Sequence, residues 1–95
     1  MTSPAPQTPV LVVDDEPVVR SVLAAFLQRC GHEVEQATNG EEALQRMEAR
    51  RFAAMLCDIR MPVMSGTELL PRALAADPDL AIIMLSAIGE PAAAI

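Results

Sequence analysis

The chain has 95 residues, 52% of them hydrophobic, with 13 acidic against 7 basic residues for a net charge of −6. That is the size of one globular domain, and it is too apolar for a disordered segment. The seven basic residues are all Arg, scattered along the chain without any Lys, so neither nucleic acid nor an anionic membrane is expected as a direct partner.

Residues 1–9 hold three of the eight prolines with Thr, Ser and Gln between them, and read as a mobile tail ahead of a folded unit at 10–95. The start lacks the charged and apolar segments of a signal peptide, and no apolar run reaches spanning length, so a cytoplasmic protein is expected. Val10–Val13 is wholly apolar and mostly β-branched, the pattern of a central strand covered on both faces. Asp14, Asp15 and Glu16 end it. Pro17 suits the first turn of a helix, and Val18, Val19, Val22, Leu23, Phe26 and Leu27 form an i, i+3/i+4 stripe expected to face inward. Gly31 is placed to close that helix as its C′ residue. Cys30 and Cys57, far apart in the chain, are expected to be small buried hydrophobes rather than a disulfide or metal pair. His32 is expected on the surface between helix and strand.

Residues 33–37 alternate, which predicts a half-buried strand nearer an edge. Asn39 is a good N-cap for a second helix, with Glu41 and Glu42 in its positive first turn, Ala43, Leu44 and Met47 turned inward, and Glu42 and Arg46 paired at i, i+4. The run from Phe52 to Cys57 is long enough for a buried strand and short for a helix, and it ends abruptly on Asp58. A helix is predicted from about Ser65 to Ala76, with Pro71 forcing a kink or a late start. After a turn at Asp77-Pro78-Asp79, residues 80–85 read as a further buried strand ending at Ser86-Ala87. Gly89-Glu90-Pro91 is a candidate opening for another helix.

Strands alternating with helices of this length imply βαβ crossovers and a parallel sheet. In such a sheet ligands bind beyond the carboxyl ends of the strands. Asp14 and Asp15, Asp58 and Ser86 stand at three of those ends. Carboxylates about 5 Å apart repel by about 3 kcal/mol per pair at an effective dielectric of about 20. The cluster therefore suits a hard divalent cation, and an oxygen-only ligand set favours Mg²⁺ over zinc. Asp58 would then be a nucleophile towards phosphorus, forming an aspartyl phosphate, with the Ser86 hydroxyl donating to a phosphoryl oxygen.

With Val10–Asp15, the run Asp58-Ile59-Arg60-Met61-Pro62 followed by Gly66, and residues 80–87, the chain resembles the receiver domain of bacterial two-component response regulators. The resemblance implies a flavodoxin-like, doubly wound parallel α/β sheet, here of about four strands in the order 2-1-3-4. It implies Asp58 as phosphoacceptor and Ser86 as switch hydroxyl. It also implies Mg²⁺ held directly by Asp15, through water by Asp14, by Asp58 and by the backbone carbonyl of Arg60. The expected phosphodonor is a sensor histidine kinase or a small acyl phosphate, and the domain is regulatory rather than an enzyme in its own right. Similar domains carry a lysine on a fifth strand and then a fifth helix. This chain has no Lys, so it is expected to correspond to the N-terminal portion of a receiver. The strand at 80–85 would then be an exposed apolar edge through which copies could self-associate, giving a phosphorylation-independent interaction module as the alternative. Phosphatases with an aspartyl nucleophile usually carry a second Asp two positions on. Arg60 stands there, which argues against that chemistry.

Overall fold

The computed structural model describes residues 9–61 and 63–85. Four strands and three helices alternate in it: β1 (Val10–Val13), α1 (Pro17–Arg29), β2 (Val34–Ala37), α2 (Gly40–Ala49), β3 (Ala54–Asp58), α3 (Gly66–Ala76) and β4 (Ala81–Leu85). The strands form one parallel sheet in the order β2-β1-β3-β4, as expected for the flavodoxin-like topology. Every residue of β1 is buried, as its position between β2 and β3 requires, whereas the edge strand β2 is mostly half-buried. Of the expected tail only Pro9 is described. It is buried, and its carbonyl accepts from the Ala53 N–H at 2.9 Å.

Alternation along the strands sends Leu11, Val13, Met55 and Cys57 to one face, where they pack with Ala43 of α2 and Leu69 and Ala73 of α3 into a single buried cluster. Val10 and Val12 point to the opposite face, which α1 covers at β1 and β2. The helix ends are set locally. Asn39 Oδ1 accepts from Glu42 N–H at 2.8 Å, the expected cap, and Ser65 and Glu68 form a reciprocal capping box at α3. Gly31, at φ 95°, closes α1 with its N–H on the Gln28 carbonyl and that of His32 on Leu27, a Schellman motif. Glu42 and Arg46 pair at 3.9 Å, and His32 is exposed, both as expected.

Four expectations are corrected. The α1 stripe does not all turn inward: Val18, Val22 and Phe26 are more than half exposed, and of the apolar residues of α1 only Ala24 is buried, with Leu23 and Leu27 half-buried. The β4 strand is not buried on both faces; Ile83, in register with Leu56 and Val12 on the face that carries α1, is 51% exposed beyond the part of the sheet that α1 covers. Cys30 is exposed at the end of α1, while Cys57 is buried in β3. Of the two effects expected of Pro71, the late start is the one corrected: α3 begins at Gly66 and runs through Pro71, and Pro71 and Thr67 are both exposed, so the Thr67 carbonyl that loses its intrahelical partner lies on the water side. The candidate helix at Gly89-Glu90-Pro91 lies outside the described residues.

Candidate functional site

The sheet itself assembles the site. β1 and β3 are neighbours with Val13 opposite Cys57, so the next residue of each chain, Asp14 and Asp58, emerge side by side at the carboxyl edge. Asp15 follows at the turn into α1. One carboxylate oxygen from each of Asp14, Asp15 and Asp58 lies within 4.8 Å of the others. The three differ in exposure: Asp14 is buried, Asp58 half-buried and Asp15 exposed. Exposure thus rises across the cluster from Asp14 through Asp58 to Asp15.

Short-range bonds fix Asp14 and Asp58. Asp14 Oδ1 accepts the Glu16 N–H at 2.9 Å, and the Asp14 N–H donates to the Ala37 carbonyl at 3.1 Å. Asp58 Oδ1 accepts the Arg60 N–H at 3.2 Å. Desolvation, with the charges of Asp14 and Asp15 added, pushes the Asp58 carboxyl above the ordinary carboxylate range, and the backbone N–H groups of Arg60 and Ile59 offset part of that. Beside it, burial first and then the Asp58 and Asp14 charges push the Cys57 thiol up to about 12, so it remains an inert thiol. The oxygen-only donor set and the mutual repulsion both suit a hard divalent cation.

The loop from β3 to α3 is clamped against this site. Gly66 donates its N–H to the Ile59 carbonyl at 2.8 Å, and a Cβ at Gly66 would clash with the Asp58 carbonyl oxygen and stand 2.7 Å from Met84 Cε. Only glycine lets the backbone approach this closely. Met61 and Met64 are buried, and Met64 lies over Gly40 at the start of α2. Between them Val63 takes φ 72°, a left-handed conformation that a β-branched residue rarely adopts.

The structure thus brings together Asp14, Asp15 and Asp58, with Arg60 at the mouth, while Ser86 lies outside the described residues. Sequence reasoning missed Arg20. Its side chain donates to the Asp14 carbonyl and to Gln36, and the one signal for it was a charged residue interrupting an apolar stripe one turn into α1.

The sequence profile of the response regulator receiver domain matches residues 10–95. The chain belongs to the receiver domain family of response regulators. Chemotaxis protein CheY of Thermotoga maritima is 36% identical over 87 residues, covering 90% of this chain and 72% of that protein. A protein-glutamate methylesterase/protein-glutamine glutaminase of Caulobacter vibrioides is 43% identical over 82 residues, which are 85% of this chain but 24% of that protein. Among solved structures, the response regulator TrrA of Thermotoga maritima in complex with Mg(2+)-BeF superposes with a TM-score of 0.82 at 38% identity, over 87% of this chain and 72% of that one. A CheY-like receiver domain protein of Methanospirillum hungatei gives 0.84 at 33% identity, over 90% and 68%. The first curated relatives are much longer than the receiver, which spans 24% of their length. No described helix is long and apolar enough to cross a membrane.

Proposed function

We propose that this receiver is a phosphoacceptor signalling switch in which Asp58 takes a phosphoryl group from the phosphohistidine of a sensor histidine kinase. The observation that carries the reading is the meeting of three carboxylates within 4.8 Å at the ends of β1 and β3. An Asp58 carboxylate oxygen attacks phosphorus, an O–P bond forms, and the P–N bond to imidazole breaks with its electron pair returning to the ring. The chain's own residues prepare this step. The Arg60 N–H orients the Asp58 carboxylate, Gly66 holds the following loop against its backbone, and Asp14 and Asp15 make the site selective for a cation.

Asp14, Asp15 and Asp58, with the Arg60 backbone carbonyl, would hold Mg²⁺, which neutralises charge on the phosphoryl oxygens when bound. Ser86 is the proposed switch hydroxyl. Residues 1–9 would be a tail before the receiver unit at 10–95, and the setting would be the cytoplasm. The presence of Mg(2+)-BeF in the related TrrA structure supports the cation assignment. Intact mass after incubation with Mg²⁺ and acetyl phosphate tests the proposal. One added phosphoryl group is expected, lost with EDTA and in Asp58→Asn; a gain that survives Asp58→Asn would sink it.

One observation favours a second reading, a phosphorylation-independent module that self-associates. Among the described residues β4 has a strand neighbour on one side only, and its sequence of Ala, Ile, Ile, Met and Leu carries no charge to guard the edge. Sedimentation velocity distinguishes the two. Self-association would be concentration-dependent, indifferent to Asp58→Asn and removed by Ile83→Lys.

A further inference from the structure

We infer that Arg20 is a positioning residue for the cation site, acting through the backbone that joins its two first carboxylates. The inference rests on the cation reading of Asp14, Asp15 and Asp58.

Arg20 lies one turn into α1, half-buried. Its Nη1 donates to the Asp14 carbonyl at 2.8 Å and its Nε to Gln36 Oε1 at 3.2 Å. Its backbone N–H meanwhile closes the first turn of α1 on the Glu16 carbonyl at 2.9 Å. One residue thus ties β2, the end of β1 and the start of α1 together around the turn at 14–16. The planar guanidinium presents its donors in a fixed fork, so two contacts made at once define its orientation as a flexible ammonium would not.

The contact to the Asp14 carbonyl matters because of what that carbonyl belongs to. A peptide unit is planar, so the Asp14 carbonyl, the Asp15 N–H and the Asp15 Cα move as one body. Fixing the carbonyl fixes the plane between the two neighbouring acids. Asp14 has further restraints, since its side chain accepts from Glu16 and its N–H donates to Ala37. Asp15 is exposed, and among the described residues no side-chain bond is seen to hold it. The peptide plane that Arg20 anchors is therefore what aims the Asp15 carboxylate at the others. Removing an outer group that orients a ligand in this way typically costs about 10- to 100-fold in metal affinity.

The test uses the ¹⁵N-labelled chain titrated with MgCl₂, read by amide shifts because the protein has no Trp or Tyr to report by fluorescence. Arg20→Gln is expected to weaken Mg²⁺ binding about tenfold, with Arg20→Lys intermediate. Amide exchange without Mg²⁺ gives a readout independent of the metal. Protection at Glu16, whose N–H rests on Asp14, should fall in Arg20→Gln while that of α2 and α3 is unchanged. Unaltered Mg²⁺ affinity in Arg20→Gln, or unaltered protection at Glu16, overturns the inference. An unmodified chain that shows no more Mg²⁺ response than Asp15→Asn would instead sink the cation reading, and this purpose for Arg20 with it. That result is distinct from a site that binds Mg²⁺ equally with and without Arg20.

Discussion

The two faces of the sheet are built from the same kinds of residue and reach different ends. On the α2/α3 face, Leu11, Val13, Met55 and Cys57 meet Ala43, Leu69 and Ala73, and all seven are almost wholly excluded from water. On the α1 face, Val10 and Val12 are as deeply buried, yet Phe26 of α1 remains 62% exposed and Ile83 of β4 51%. Among the described residues two helices seal one side, while on the other a single helix, α1, covers the half of the sheet that holds β1 and β2. An apolar stripe therefore records a surface that favours cover, and the topology decides how much cover it gets.

The largest effect should come from the sealed side. Leu69→Ala is expected to lose about 3 kcal/mol in urea denaturation, whereas Phe26→Ala should change stability by about 0.5 kcal/mol or less. Equal losses would break the comparison. Gly66→Ala sharpens it at the site. Alanine is the better helix former by about 1 kcal/mol, so helix propensity alone predicts a gain. The close approach of Gly66 to the Asp58 carbonyl predicts instead a loss of about 2 kcal/mol, read by the same denaturation.

Val63 offers the opposite sign. Its side chain is 72% exposed and packs little, while its left-handed backbone is strained, so Val63→Gly should gain on the order of 1 kcal/mol. The smallest effect is electrostatic. The Asp58 carboxyl is raised in the fold, so the folded state binds its proton more tightly than the unfolded chain does. Stability present at acid pH is then lost as pH rises from the ordinary carboxylate range through the raised value. Asp58→Asn should accordingly melt a few degrees higher than the parent at neutral pH in EDTA, and the difference should vanish well below the ordinary carboxylate range.

Much of this fold was legible in the sequence because its signals are local. The apolar, valine-rich run at Val10–Val13, the cap at Asn39 and the C′ glycine at Gly31 each act within a few residues. Alternating strands and helices then placed Asp14, Asp15 and Asp58 at one edge without further assumption. What escaped depends on distant partners. Nothing near Phe26 says which part of the sheet α1 will cover, so the whole stripe read as inward. The bond from Arg20 to Gln36 joins α1 to β2, and no spacing announces it. Val63 is β-branched, a residue type that does not announce the left-handed backbone it takes between the buried Met61 and Met64.

The central claim is that Asp58, among three crowded carboxylates, is the one that takes the phosphoryl group. Borohydride reduction of the acetyl phosphate-treated chain converts an aspartyl phosphate to homoserine, and peptide sequencing by mass spectrometry then locates it. Homoserine at position 58 alone is the predicted result. Homoserine at position 14 or 15, or none in a folded sample that binds Mg²⁺, would contradict the account.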